Sequence, residues 1–151
     1  MRNLKTLIML VLITLMWADI GRSEVQFKTD RIEQEFEQLY SKNLELYQIV
    51  IFANYKLTEI SKKNLVITEI YRTQAEQDKY YKGKKKFKSP HQRWLAVDIR
   101  TRHLSKKEVK LLVKAINKRY NSINRYNPSA FYHSIGRGHH IHIQFKDRNE
   151  N

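Results

Sequence analysis

Between residues 29 and 63 apolar side chains recur at intervals of three and four: Ile32, Phe36, Leu39, Tyr40, Leu44 and Tyr47, with Glu and Lys between them. That period predicts amphipathic helix, divided into two helices either at Asn54 or within residues 56–63. LVITEI (65–70) is a short β-branched run and reads as a strand. KGKKKFKSP (82–90) reads as a basic loop carrying a Gly and a Pro. WLAVDIR (94–100) is a second strand, with Leu95, Val97 and Ile99 on one side and Ala96 and Asp98 on the other. Ser105 and Glu108 stand at capping-box spacing before Val109, Leu112, Val113 and Ile116, which share one helical face. RYNPSAF (125–131) reads as a loop, and HHIHIQF (139–145) alternates as a closing strand. With no internal repeat and no low-complexity linker, the pattern is that of a small α+β domain.

Composition narrows the chemistry. The 151 residues suffice for one domain with a single core, and a 41% hydrophobic content argues against disorder. The absence of cysteine excludes disulfides and thiolate metal sites, leaving His, Asp and Glu as possible metal ligands. A formal charge of +14 predicts attraction to polyanions without choosing among them. The start of the chain has the form of an export signal: a basic MRNLK, the apolar TLIMLVLITLMWA, and small residues Gly21 and Ser23 before a possible cut at Glu24. An uncleaved anchor and an N-terminal core helix are the other readings of this segment. It holds Arg2, Lys5, Arg22 and Asp19, a net +2, so residues 24–151 keep +12 and form the expected single domain. Export makes nucleic acid a less fitting partner and the cell envelope or periplasm a more fitting one.

Candidate chemistry sits in two places. On the closing strand a period of two puts His140, His142 and Gln144 on one face, and Ile141, Ile143 and Phe145 on the other. Upstream, SPHQRWLAVDIR places His91 just before a strand and Asp98 within it, beside the small Ala96. One carboxylate and two imidazoles suit Zn²⁺, which takes three protein ligands and water in an open site. The competing reading leaves His91 as a loop histidine, Asp98 as a salt-bridge partner of Arg100 or Arg102, and the histidine pair as a surface or core feature.

SPHQRWLAVD resembles the S-x-H-x-x-G-x-A-x-D signature of the zinc D-alanyl-D-alanine carboxypeptidases and L-alanyl-D-glutamate endopeptidases, which share the hedgehog/DD-peptidase fold. GHHIHIQF is similar to the H-x-H strand that closes the site in one subgroup, and ITEIYRTQAEQDKYY (67–81) to the upstream strand and turn. The resemblance spans roughly residues 64–146, with the three motifs in order. It implies an α+β fold with a small antiparallel sheet and flanking helices. It also implies one Zn²⁺ held by His91, Asp98 and His142, and Arg72 steadying a substrate carbonyl or carboxylate. Ser89 would lie near the substrate backbone, unless it is only a turn residue before Pro90, and Gln77 would support the turn. Two positions depart from the pattern: Trp94 stands where the family has Gly, and His139 where many members have an acidic general base. In the H-x-H subgroup the first histidine lies beside the metal, which assigns proton transfer to His140, with His139 or His133 next in line.

The implied function is an exported zinc peptidase acting on peptidoglycan stem peptides, in cell-wall remodelling or phage lysis. It would act as a monomer, with the basic loop and Tyr80, Tyr81 and Phe87 either contacting anionic wall polymers or simply solvated. The alternative is a non-catalytic, zinc-stabilised cell-wall-binding module. A nucleic-acid-binding protein finds support only in the charge.

Overall fold

Helix formation starts at Thr29, whose hydroxyl accepts the Ile32 N–H at 3.4 Å and so pairs one of the amides that a helix start leaves open. The computed structural model describes residues 25–82, 88–134 and 138–148. The expected export segment (1–23) and most of the basic loop (83–87, with Phe87) lie outside the described residues. α1 (Asp30–Lys42) buries Ile32, Phe36 and Leu39, and α2 (Leu44–Ser61) buries Leu46, Ile49, Val50, Ala53 and Leu57. Among the described residues no helix is long and apolar enough to cross a membrane.

The break between these helices falls at Asn43, not at Asn54 or within 56–63. The Asn43 N–H donates to the Leu39 carbonyl at 2.8 Å and its Oδ1 accepts from the Leu46 N–H at 2.9 Å. Its Nδ2 donates to the carbonyls of Trp94 (3.1 Å) and Phe145 (3.4 Å), tying the helical corner to the sheet. Asn54 stays inside α2, fully buried, because its Oδ1 accepts from the Leu65 N–H at 3.3 Å where the chain enters the sheet. Asn43 thus leaves the helical conformation to cap the next helix and reach the sheet, whereas Asn54 reaches the sheet from within a helix.

Five strands follow the order β1-β2-β3-β5-β4: β1 (Gln26–Phe27), β2 (Val66–Glu69), β3 (Ala96–Arg100), β4 (Ala130–Ser134) and β5 (His139–Gln144). The sheet is mixed, not antiparallel throughout as expected, since β1 pairs parallel with β2. α1 and α2 supply the long crossover that a parallel pair needs, and β1 is too short to show a period. β4 also corrects the sequence reading, which ended a loop at residue 131. The Asn-Pro-Ser turn residues hide a strand that α4 (Lys106–Tyr120) holds in place, Asn117 exchanging two 2.8 Å bonds with the Ala130 backbone. α3 (Gln74–Tyr81) and α4 both open with a reciprocal capping box, at Thr73/Glu76 and Ser105/Glu108.

One face of the sheet is hydrocarbon. Val97 lies opposite Ile143, and Ile99 opposite Ile141. All four are fully buried against a core that includes Phe36, Leu46, Ile49 and Leu112. Each such side chain contributes about 1.5–3 kcal/mol relative to exposure. The opposite face carries different chemistry.

Candidate metal centre

Strand alternation sends Asp98 and His142, paired in register, to the face away from the core, and His140 and His133 form the adjoining cross-strand pair. A third strand adds an acid by an irregularity. Ile67 pairs with Ile99, but Glu69 pairs with Asp98, so the register of β2 shifts by one residue between them. Regular pairing would place Glu69 opposite Val97, on the apolar side. Thr68, whose hydroxyl donates to the Asp98 carbonyl at 3.2 Å, is the extra residue, and it turns Glu69 towards the Asp98 side.

His91 arrives from a different element, the short 3-10 turn Pro90–Arg93. Ser89 caps this turn: its Oγ accepts from the His91 N–H at 3.3 Å, while its own N–H donates to Gln92 Oε1 at 2.9 Å. Buried and engaged in this way, Ser89 positions the backbone of His91. The turn ends at Trp94 in the left-handed region, φ 58°. That conformation strains any side chain with a Cβ. Trp94 stacks on Tyr71, 4.9 Å between ring centroids.

The four predicted groups converge. His91 Nδ1 donates to the Ile70 carbonyl at 2.9 Å, and its Nε2 faces Asp98 Oδ1 at 3.4 Å. His142 Nδ1 lies 2.8 Å from the same oxygen. His140 Nδ1 donates to the Gly138 carbonyl at 3.0 Å, so its Nε2 faces Asp98 Oδ2 at 3.5 Å. The ion-pair partners found for Asp98 are all histidines, not Arg100 or Arg102. His91, Asp98 and His142 are all buried, with ligand atoms within 4.8 Å of one another.

Their electrostatics follow from that crowding. Burial alone would raise the Asp98 carboxyl, but the His91 charge and hydrogen bonds from His142 and His91 outweigh it and hold it well below the usual carboxylate range. Burial pulls His91 down, yet the facing Asp98, with help from Glu69, raises it overall. His142 is lowered by burial despite Asp98. The metal-free site therefore favours an ionised Asp98, which raises the proton affinity of His91, while burial lowers that of His142.

Arg72 reaches the same face but is engaged. Its Nε donates to Glu69 Oε1 at 2.9 Å, Nη2 makes a second contact with Glu69 Oε2, and Nη1 donates to Gln77 Oε1 at 3.0 Å. Gln77 thus buttresses Arg72, which also stacks over the Tyr80 ring at 4.5 Å. Glu69 Oε2 comes within 3.9 Å of His91 Nε2. His139 stays outside the cluster, stacked on Tyr132 with centroids 5.4 Å apart.

Sequence reasoning missed Glu69 on this face and held His133 only as a substitute proton acceptor for His140. Glu69 had a readable signal: Ile67 and Ile70 are both fully buried three residues apart, which a period of two permits only if one residue is extra. His133 lies in a strand that the turn residues before it disguised. Burial and the facing His140 and His142 lower its proton affinity. No family model, no curated protein and no solved structure matches this chain.

Proposed function

We propose that this chain is an exported zinc metallopeptidase that hydrolyses peptide bonds in peptidoglycan stem peptides. The observation that carries the reading is the convergence of His91 Nε2 and His142 Nδ1 on one oxygen of a buried carboxylate. A carboxylate and two imidazoles are a fitting donor set for Zn²⁺, and two of the ligand strands are held in register by a regular ladder. The order of the three sequence motifs supplies the substrate class.

His91, Asp98 and His142 would hold the ion, which when bound polarises a carbonyl and makes water nucleophilic near neutral pH. The Ile70 carbonyl fixes the His91 tautomer that can ligate. His140, with Nδ1 committed to Gly138 and Nε2 free to accept, takes the proton of the attacking water and returns it to the leaving amine. Glu69 is a carboxylate on the same face, and Arg72 holds it there by a bidentate pair. A role for Arg72 in steadying the substrate carbonyl requires that pair to open. A net charge of +14 favours approach to anionic wall polymers at the envelope.

Mass spectrometry of purified muropeptides after incubation with the zinc-loaded full chain tests this reading. Cleavage within the stem peptide is expected, falling about 10²–10⁴-fold in His140→Ala. Intact muropeptides with the zinc-loaded parent sink the enzyme reading. If the same protein still sediments with cell walls, it is a zinc-stabilised binding module.

A further inference from the structure

Beside the first cluster, β4 and β5 assemble a second set of donors. His133 and His140 face each other across the ladder with ring centroids 4.2 Å apart, and the His142 ring lies 5.7 Å from His133. A nitrogen from each of the three falls within 4.8 Å of the others. Both nitrogens of His133 are shut off from solvent and have no hydrogen-bond partner among the described residues. Buried polar atoms are seldom left so, and a cation is the partner that neutral imidazoles lack. His140 turns its Nε2 lone pair to the same side, because its Nδ1 is committed to the Gly138 carbonyl.

We propose a second divalent-cation position at His133, His140 and His142, adjoining the one at His91, Asp98 and His142; His142 serves both ions only as an imidazolate, one nitrogen to each, with its ring proton released to solvent. Asp98 stands between the two, with Oδ1 turned to His91 and His142, and Oδ2 turned to His140 at 3.5 Å. A carboxylate so placed can bridge two ions, as two-metal centres require. Imidazole donors select Zn²⁺, Cu²⁺ or Ni²⁺ over Mg²⁺ or Ca²⁺. The second position has no carboxylate of its own and is less buried, so it fills after the first. This inference rests on the zinc reading above and adds to it that His140 serves either as proton acceptor or as ligand, since it has one lone pair to give.

Native mass spectrometry of the full chain titrated with Zn²⁺ tests the proposal by counting ions. The parent is expected to take one ion at low zinc and a second at higher zinc. His133→Ala and His133→Phe, the latter keeping a ring against Phe131, are each expected to stop at one. A parent that saturates at one ion overturns the second position and leaves the first intact. So does a His133 variant that still takes two. A parent that takes none removes both positions and the proposed function with them.

Discussion

β3 and β5 have two faces made from the same ten or so residues, and they behave as different materials. Towards the helices, Val97, Ile99, Ile141 and Ile143 bury only hydrocarbon, and that burial stabilises. On the other side, Asp98 and His142 are buried nearly as well, with His91 packed against them. Burying a charge there costs on the order of several kcal/mol per ion, which a paired imidazolium only partly offsets. Alternation of side chains makes the division possible, because neighbouring residues on one strand see opposite environments. The lesson is that the first face holds the fold and the second is held by it.

The sharpest way to break this comparison is to truncate the apolar face. Ile141→Ala should cost about 2–5 kcal/mol in urea unfolding, whether or not zinc is present. If the loss is small without zinc, the sheet depends on the metal and the division of labour fails.

A smaller effect is expected from the site face. Free zinc at a hundredfold over its Kd should stabilise the parent by about 2.7 kcal/mol, and His142→Ala should lose that increment. Thermal unfolding with and without zinc measures it. The increment should shrink as pH falls, because a proton on His91, whose pKa is raised, competes with the ion for Nε2. The sign is opposite for the metal-free protein. There the His91–Asp98 pair contributes fully between the ordinary values of 3.8 for Asp and 6.5 for His, is lost as pH rises through the higher His91 value, and declines again as pH falls below 3.8. An increment that grows on acidification contradicts the assignment of His91.

The smallest effect belongs to a part-buried pair outside both faces, Lys63 and Glu108. Hydrogen bonds from Lys63 and from the Ser105 backbone lower the Glu108 carboxyl to about 2. Its contribution is present above the ordinary value of 4.5 and is lost as pH falls through about 2. Lys63→Ala should therefore lower stability slightly at pH 7 and throughout the range above 4.5, with the difference from the parent vanishing as pH falls through about 2. A loss at pH 7 as large as that of Ile141→Ala would mean that surface charge, not the apolar face, holds the fold.

Much of this contrast was legible in the chain. The three-and-four spacing from Ile32 to Leu39, the Ser105/Glu108 box and the alternation of HHIHIQF each follow from local geometry, and so do the shared faces of Asp98, His140 and His142; Tyr40 and Leu44, read as part of the same apolar run, are exposed on either side of the Asn43 break. What was not legible depends on partners remote in sequence. Asn43 caps the next helix locally, but the carbonyls of Trp94 and Phe145 that tie that corner to the sheet lie far along the chain. The parallel pairing of β1 rests on two residues without a period. Arg72 was expected to face a substrate, but whether its guanidinium is free depends on Glu69, and the direction of Glu69 depends on one extra residue in β2.

The separation of the site's parts along the chain has a kinetic consequence. The His142–Asp98 contact joins residues 44 apart, and the His91–Ile70 bond joins residues 21 apart. No short peptide from this chain contains the site, so an ion cannot nucleate it as it does in a zinc finger. Closing those loops must precede binding, and the β3–β5 ladder must already be in register. A metal ion bound there would act on a structure that has passed its folding barrier, slowing the escape from the native state and leaving the rate of reaching it unchanged.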